Sequence, residues 1–112
     1  MSNLHMIIRI VKLTFRPAEV ASFLELFANA KKTIRSTPGC NHLELLRDTS
    51  NPSIFFTHSH WEQTEDLEAY RKSDFFKKTW SQTKVLFAEK PEAWSLEKFV
   101  NLPESTSDKV DY

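Results

Sequence analysis

Residues 37–76 restrict the fold most strongly, because a helix stop, two strands joined by a turn and a new helix follow one another there. Thr37-Pro38-Gly39 ends a preceding helix, since proline cannot continue a helix and glycine accepts left-handed backbone angles. The segment Asp48 to Ser53 is dense in turn-forming residues and separates two runs of alternating side chains. This order predicts a β-hairpin followed by a helix.

The second strand of this hairpin, Ile54 to Trp61, carries apolar or aromatic side chains on both faces. Side chains alternate along a strand, which places Ile54 and Phe56 on one face, and Phe55 and Trp61 on the other. The chain's own helices can cover one face, but a chain of 112 residues has no second helical layer for the other. We therefore expect a second subunit to cover that face in a homodimer.

The rest of the chain supplies two more strands and two helices. Residues 6–15 and 93–100 are the other predicted strands. Apolar spacing predicts one helix over 17–36 and another that begins at residue 64 or 65, breaks near Ser73-Asp74 and ends with a helical turn over 79–87. The order β-α-β-β-α-β predicts an α+β, ferredoxin-like fold, with a four-stranded antiparallel sheet and both helices on one face.

Chain length and the polar C-terminus predict a single domain with a tail. A chain of 112 residues is large enough for one core but not for two, and we assign residues 1–100 to this domain. Residues 101–112 are polar and lack periodicity. They predict a mobile C-terminal tail or a segment that crosses onto a partner subunit.

Charge and rare residues exclude several classes of function. Fifteen acidic side chains balance fifteen basic ones, so no excess of charge indicates a nucleic acid or an acidic membrane as a partner. Arg9 and Lys12 interrupt the N-terminal apolar run, which predicts a strand rather than a signal peptide, in a cytoplasmic protein. The single cysteine, Cys40, excludes an intrachain disulfide, and the single glycine, Gly39, excludes a phosphate-cradling loop.

Several short motifs follow one another along the chain. They are Thr37-Pro38-Gly39-Cys40, Leu45-Leu46-Arg47-Asp48 before Asn51-Pro52, Trp61-Glu62, Leu67-Glu68-Ala69-Tyr70 and Ser73-Asp74-Phe75-Phe76. Together they resemble the antibiotic biosynthesis monooxygenase family over residues 6–99. The resemblance implies a homodimer whose two sheets face each other in a dimeric α/β barrel, with a small pocket between sheet and helices in each subunit. It also implies oxidation of quinols or anthrones by molecular oxygen, often without a metal or flavin, and we expect no cofactor.

Two positions depart from the pattern of this family. Quinol-oxidising relatives commonly carry a histidine nine residues beyond the tryptophan that corresponds to Trp61, where this chain has Tyr70. In a related haem-degrading branch, Trp80 matches the position of the haem-ligating histidine. An indole N–H is a donor only and cannot bind iron, so the resemblance does not extend to haem degradation.

Tyr70 and His60 are the candidate catalytic residues. Tyr70 would donate to a substrate hydroxyl or act as a base, although a phenol ordinarily titrates near 10; packing or a simple hydrogen bond is the alternative. His60 titrates near neutrality and would be the base if its strand face is the one that the helices cover. If the helices cover the Trp61 face instead, His58 and His60 point towards the partner sheet as hydrogen-bonded interface residues.

Five residues are candidates for binding the substrate. Trp61 would stack on a planar ligand and donate its N–H to the ligand's oxygen, and its alternative role is to fill the core beneath the second helix. Arg9 would stabilise a phenolate or superoxide, and its alternative is an ion pair with Glu44 or Glu97. The full set is Trp61, Thr57, Phe76, Trp80 and Arg9.

The sequence contains a possible pair of metal ligands but predicts no metal site. His58 and His60 share a strand face, a spacing that can supply two ligands. His42, Glu44 and Glu62 are candidates for a third ligand only if the fold brings them close. The sequence does not decide among them.

These features predict a cofactor-independent monooxygenase that oxidises a small planar phenol, quinol or anthrone-type substrate with molecular oxygen. The alternative is a non-catalytic dimer of the same fold that binds a small ligand or acts in stress. An apolar cavity with a polar group that reaches a bound phenol would favour the enzyme. A pocket filled by its own aromatic side chains would favour the alternative.

Overall fold

The computed structural model describes residues 6–102 and has the predicted ferredoxin-like order of elements. All neighbouring strands are antiparallel, in the sheet order β2-β3-β1-β4. The α+β fold predicted from the sequence is confirmed. The elements are β1 (Ile7–Thr14), α1 (Val20–Arg35) after a 3₁₀ turn (Pro17–Glu19), β2 (Cys40–Arg47), β3 (Ile54–Trp61), α2 (Thr64–Lys72), α3 (Asp74–Lys84) and β4 (Glu92–Leu96).

Local signals in the sequence set the ends of the helices. After α1 the chain turns at Gly39, whose φ of 86° lies in the left-handed region that favours glycine. A Cβ at Gly39 would also overlap the side chain of Asp66 on α2, so the turn and α2 pack closely. Ser73 has extended angles (φ −70°, ψ 152°) and separates α2 from α3, where the sequence predicted a break.

The last strand is shorter than predicted. The sequence predicted a strand over residues 93–100, but β4 ends at Leu96, which pairs with Ile8 near the start of β1. The pairing of β4 with β1 ends at this residue pair. Most of the predicted tail, residues 103–112, lies outside the described residues.

Two separate buried clusters hold the helices against one face of the sheet. The larger cluster joins Phe23 of α1 to Leu13, Phe15 and Phe55. The smaller one contains Cys40, Trp61 and Leu67, so that it joins β2 and β3 to α2. The sheet face that carries Phe55 and Trp61 is therefore the covered face.

The opposite face of the sheet is open and partly apolar. It carries Ile54 and Phe56, as the alternation in β3 predicted, and large side chains on β2 and β4. Leu46, Trp94 and Leu96 are 43%, 42% and 48% exposed there. No helix in the described part of the chain is long and apolar enough to cross a membrane.

Candidate functional site

A cavity of about 350 Å³ lies between the covered face of the sheet and the three α-helices. Its walls include Leu13 and Phe23 of the larger buried cluster and Trp61 and Leu67 of the smaller one. The cavity thus occupies the space between the two clusters. Mostly apolar walls with a few polar groups are typical of small-molecule sites.

The structure brings most of the candidate site residues into this cavity. It separates His60 from them, because His60 follows Ser59 on β3 and its side chain points to the open face of the sheet. This placement corrects the prediction that Tyr70 and His60 serve one site. The candidates that line the cavity are Arg9, Thr57, Trp61, Tyr70, Phe76 and Trp80.

Trp61 is at once a core residue and a wall of the cavity. Only 1% of its surface is exposed, and its indole N–H donates to the Ser59 hydroxyl at 2.9 Å. Its ring stacks on the Tyr70 ring, with centroids 5.2 Å apart and planes 28° apart. The N–H is therefore engaged within the protein, which corrects the expectation that it donates to a ligand.

Tyr70 is placed to act as a hydrogen-bond donor rather than as a base. Burial, reinforced by nearby Cys40, raises the pKa of Tyr70 to about 12. The phenol therefore keeps its proton at neutral pH. Its ring is held between Trp61 and Phe76, which it meets edge-on at a centroid distance of 5.1 Å.

Helix α3 supplies a stacked aromatic wall. Phe76 and Trp80 are four residues apart and therefore lie on the same side of the helix. Their rings are nearly parallel, with an interplanar angle of 8° and centroids 5.9 Å apart. Together with the Tyr70 edge they give the cavity flat surfaces that suit a planar ring.

Two arginines give the cavity a positive charge. Arg9 of β1 donates to the Ser95 hydroxyl at 2.8 Å, and burial and nearby Arg71 lower the pKa of Arg9. Within residues 6–102 neither arginine has a carboxylate oxygen within 4 Å, and no acidic side chain lines the cavity. The alternative pairing of Arg9 with Glu44 is wrong, since Glu44 lies on the open face and contacts histidines.

Two hydroxyl groups add further polar sites. Thr57 and Ser59 lie on the covered face of β3 and line the cavity. Because the Ser59 oxygen accepts the bond from Trp61, its own proton can be donated to a ligand. Ser59 and Arg71 were not among the residues predicted from the sequence. Ser59 is two residues from Thr57 on the same strand face, and Arg71 is four residues from Leu67 on the same helix face, so both spacings would have indicated them.

The comparison with protein families agrees with this geometry. Residues 6–81 match the family described as antibiotic biosynthesis monooxygenase. The chain belongs to this family. No curated protein matches the chain.

Solved structures share the fold at low sequence identity. A conserved protein from Methanosarcina mazei Go1 has a TM-score of 0.82 at 20% identity, with 86% of this chain and 95% of that chain covered. A proposed antibiotic biosynthesis monooxygenase from Caulobacter crescentus CB15 has a TM-score of 0.79 at 22% identity, covering 87% and 92%. Another from Bordetella bronchiseptica has a TM-score of 0.75 at 24% identity, covering 86% and 99%. At these identities the likeness establishes the fold alone.

Proposed function

We propose that this family member is a cofactor-independent monooxygenase that oxidises a small planar phenol, quinol or anthrone-type substrate with molecular oxygen. One observation carries the proposal: the cavity combines flat aromatic walls with two arginines that have no carboxylate partner among the described residues. A planar ring fits the walls, and a negative charge on its oxygen fits the arginines. Both features belong to an aromatic substrate that reacts as its anion.

The arginines supply the electrostatic part of the proposal. Arg9 is a half-buried positive charge that is hydrogen-bonded to Ser95, in a cavity with mostly apolar walls where a charge interaction is stronger than in water. Arg71 also lines the cavity but is exposed, so solvent screens its charge more. They lower the free energy of a phenolate or enolate relative to its neutral form, and they also stabilise superoxide as it forms. The substrate therefore loses its proton more readily in the cavity than in solution.

The oxygen chemistry is assigned to the substrate itself. For an anthrone, the carbanion formed by loss of a proton transfers an electron to oxygen, and the resulting carbon radical and superoxide combine to a peroxide anion. This anion takes up a proton from water to give a hydroperoxide. Loss of water from the hydroperoxide gives the quinone, so one oxygen atom enters the product and the other leaves as water. The substrate supplies all the electrons, and the cavity holds it in one orientation.

Tyr70 has a donor's role in this scheme. Its pKa of about 12 keeps the phenol protonated, so it can donate a hydrogen bond to the substrate's oxygen. The substrate's proton is then accepted by solvent, and the arginines make that loss favourable. The histidine of the quinol-oxidising relatives is replaced by electrostatic stabilisation of the anion.

The second candidate function is a dimer that binds a small aromatic ligand without converting it. The observation that favours it is the lack, among the described residues of the cavity, of a side chain that titrates near neutral pH. In that case, the same walls and arginines bind an aromatic anion that is not converted to a product. Fold membership does not decide between the two functions.

The homodimer is part of the proposal. The open sheet face exposes Leu46, Trp94 and Leu96, and no element in the described part of the chain packs over it. Burying such side chains against a second copy removes apolar surface from water. The family to which the chain belongs supports the same assembly.

Oxygen uptake by metal-stripped protein with a panel of quinols and anthrones tests the proposed function. We expect consumption above the buffer blank, and a fall of about tenfold or more for Arg9→Gln, because the anion loses one of its two stabilising charges. Tyr70→Phe removes the donor and keeps the ring, so we expect a smaller fall. The matched control is Lys31→Gln, which removes a positive charge from an exposed residue of α1 that does not line the cavity, and should leave uptake unchanged.

Two results would contradict the monooxygenase. Equal uptake by wild type and Arg9→Gln would mean that the reaction is autoxidation outside the cavity. No uptake with any substrate, together with saturable quenching of tryptophan fluorescence by the same compounds, would assign the protein to the binding function instead.

A further inference from the structure

Three histidines and a glutamate meet on the open face of the sheet, opposite the cavity. His42 and Glu44 of β2 lie beside His60 and His58 of β3 in the antiparallel register. The His58 Nδ1 atom lies 2.6 Å from the Glu44 Oε1 atom, and the His42 Nε2 atom lies 3.3 Å from the same oxygen. The ligand-type atoms of His42, Glu44 and His58 all lie within 4.8 Å of one another.

We propose that His42, Glu44 and His58 form a binding site for a divalent transition-metal ion of the Zn²⁺ type. Two imidazole nitrogens and one carboxylate oxygen are a donor set that Zn²⁺ binds at about 2.0–2.2 Å from each atom, with water at a fourth position. Ligand atoms around such an ion lie about 3 Å apart. Two of the three pairs are already near that distance, at 2.6 and 3.3 Å, and all three atoms lie within 4.8 Å of one another. A small adjustment of side-chain rotamers is enough to admit the ion.

His60 is a positioning residue for this site. The His58 Nε2 atom, which faces away from Glu44, lies 3.0 Å from the His60 Nε2 atom. A metal-binding histidine usually donates its other ring N–H to an acceptor, which fixes its tautomer and orientation. When His58 binds the ion through Nδ1, its Nε2–H donates to His60. His60 thereby orients His58 without binding the ion itself.

The cluster contains an anionic ligand and lies on the sheet face that the proposed dimer covers. Glu44 supplies the carboxylate, and a carboxyl group is ordinarily ionised at neutral pH. The side chains of His42, Glu44 and His58 are 40%, 43% and 25% exposed in the single chain, so a hydrated ion can reach them there. The site needs neither the cavity nor its oxygen chemistry, so its test is independent of the proposed oxygenase activity.

The sequence contained half of this arrangement. His58-Ser59-His60 gives two histidines on one strand face, and the structure places His42-Leu43-Glu44 beside them. Glu62, the other candidate from the sequence, does not belong to the cluster. Its exposed carboxylate therefore provides a control outside the site.

Calorimetric titration of the metal-stripped full chain with Zn²⁺ tests the site, and Co²⁺ absorption reports its geometry. We expect one ion per chain and intense Co²⁺ bands of low coordination number. Glu44→Gln and His58→Ala should each abolish the measurable binding. His60→Phe should retain binding at an affinity about 10- to 100-fold weaker, as for loss of an orienting partner. Glu62→Gln should bind as the wild type does.

Absence of Zn²⁺ binding to the wild type would overturn the site. Binding that is equal in wild type, Glu44→Gln and His58→Ala would overturn it as well, because the ion would then sit elsewhere on the surface. The Glu44 side chain is 43% exposed, so Glu44→Gln keeps the test valid even if His58→Ala fails to fold, which circular dichroism would show. Loss of the Co²⁺ bands in folded Glu44→Gln is the result that supports the proposal.

Discussion

At the scale of single residues, burial changes the chemistry of Tyr70 more than its identity suggests. The pKa of the Tyr70 phenol, ordinarily near 10, is raised to about 12 here, because its anion would lose solvation among the apolar walls. The sequence alone leaves open whether Tyr70 acts as a base or as a hydrogen-bond donor. Because Trp61 and Phe76 bury the Tyr70 ring, the phenol stays protonated and can act as a donor but not as a base.

This pKa shift predicts a loss of stability at high pH. The folded pKa lies above the unfolded one, so the stabilising contribution is complete below pH 10 and is lost as the pH rises towards 12. The loss is at most about 2.7 kcal/mol, since each pKa unit corresponds to about 1.36 kcal/mol. Urea unfolding from about pH 9 to about pH 12 measures most of this loss, because the range begins below the unfolded pKa and reaches the folded one.

Tyr70→Phe is the matched variant for this measurement. It keeps the ring and removes the ionising group, so its free energy of unfolding should fall less over the same pH range than that of the wild type. Parallel curves for the two proteins would mean that Tyr70 titrates equally in the folded and unfolded states. The burial argument for a protonated donor would then be wrong.

At the scale of the elements, Ser73 connects two helices that carry cavity walls. Its hydroxyl accepts from the Phe76 N–H at 3.1 Å and donates to the Tyr70 carbonyl at 2.6 Å. The first bond caps α3 and the second ties the cap to the end of α2. The relative position of Tyr70 and Phe76 therefore depends on one side chain.

Ser73→Ala should destabilise the protein by about 1 kcal/mol, the typical cost of losing a helix N-cap. Denaturant unfolding measures the change. Ser81→Ala on the exposed side of α3 is the matched control, because the Ser81 hydroxyl only donates back to the Lys78 carbonyl of its own helix. We expect the control to change stability by less than about 0.5 kcal/mol. Equal effects of the two variants would remove the capping argument.

The sequence predicted the elements better than it predicted which residues meet. Strand alternation placed Phe55 and Trp61 on one face correctly, because β3 is regular from end to end. It fails at the start of β2, where an irregularity between Cys40 and His42 turns buried Cys40 towards the helices while His42 faces outward. Such a shift depends on how β2 pairs with β3, which the order of residue types does not reveal.

The candidate site residues were likewise predictable on the helices but not on β3. Phe76, Trp80 and Tyr70 were predictable because helical spacing places them with other apolar positions. The face of β3 that the helices cover was not predictable, since both faces carry apolar side chains. Because the helices cover the Trp61 face, His60 lies in the histidine cluster on the open face and not in the cavity.

At the scale of the whole molecule, the open sheet face predicts self-association. It combines exposed Leu46, Trp94 and Leu96 with the histidine cluster, and a second copy is the occupant that the family supports. Trp94, 42% exposed on the edge strand β4, offers the largest apolar surface of the three. Tryptophan is enriched among the residues that dominate the affinity of interfaces.

Trp94→Lys should therefore weaken the dimer by at least about 2 kcal/mol, or roughly 30-fold in Kd, because it places a charge where apolar surface is buried. Sedimentation velocity over a micromolar concentration series measures the shift from dimer to monomer. Val85→Lys is the matched control, since Val85 is also an exposed apolar residue, 62% exposed, but lies at the end of α3, on the helical side of the sheet. Dissociation by both variants would indicate non-specific hydrophobic association, and a wild-type monomer would leave the open face without its proposed occupant.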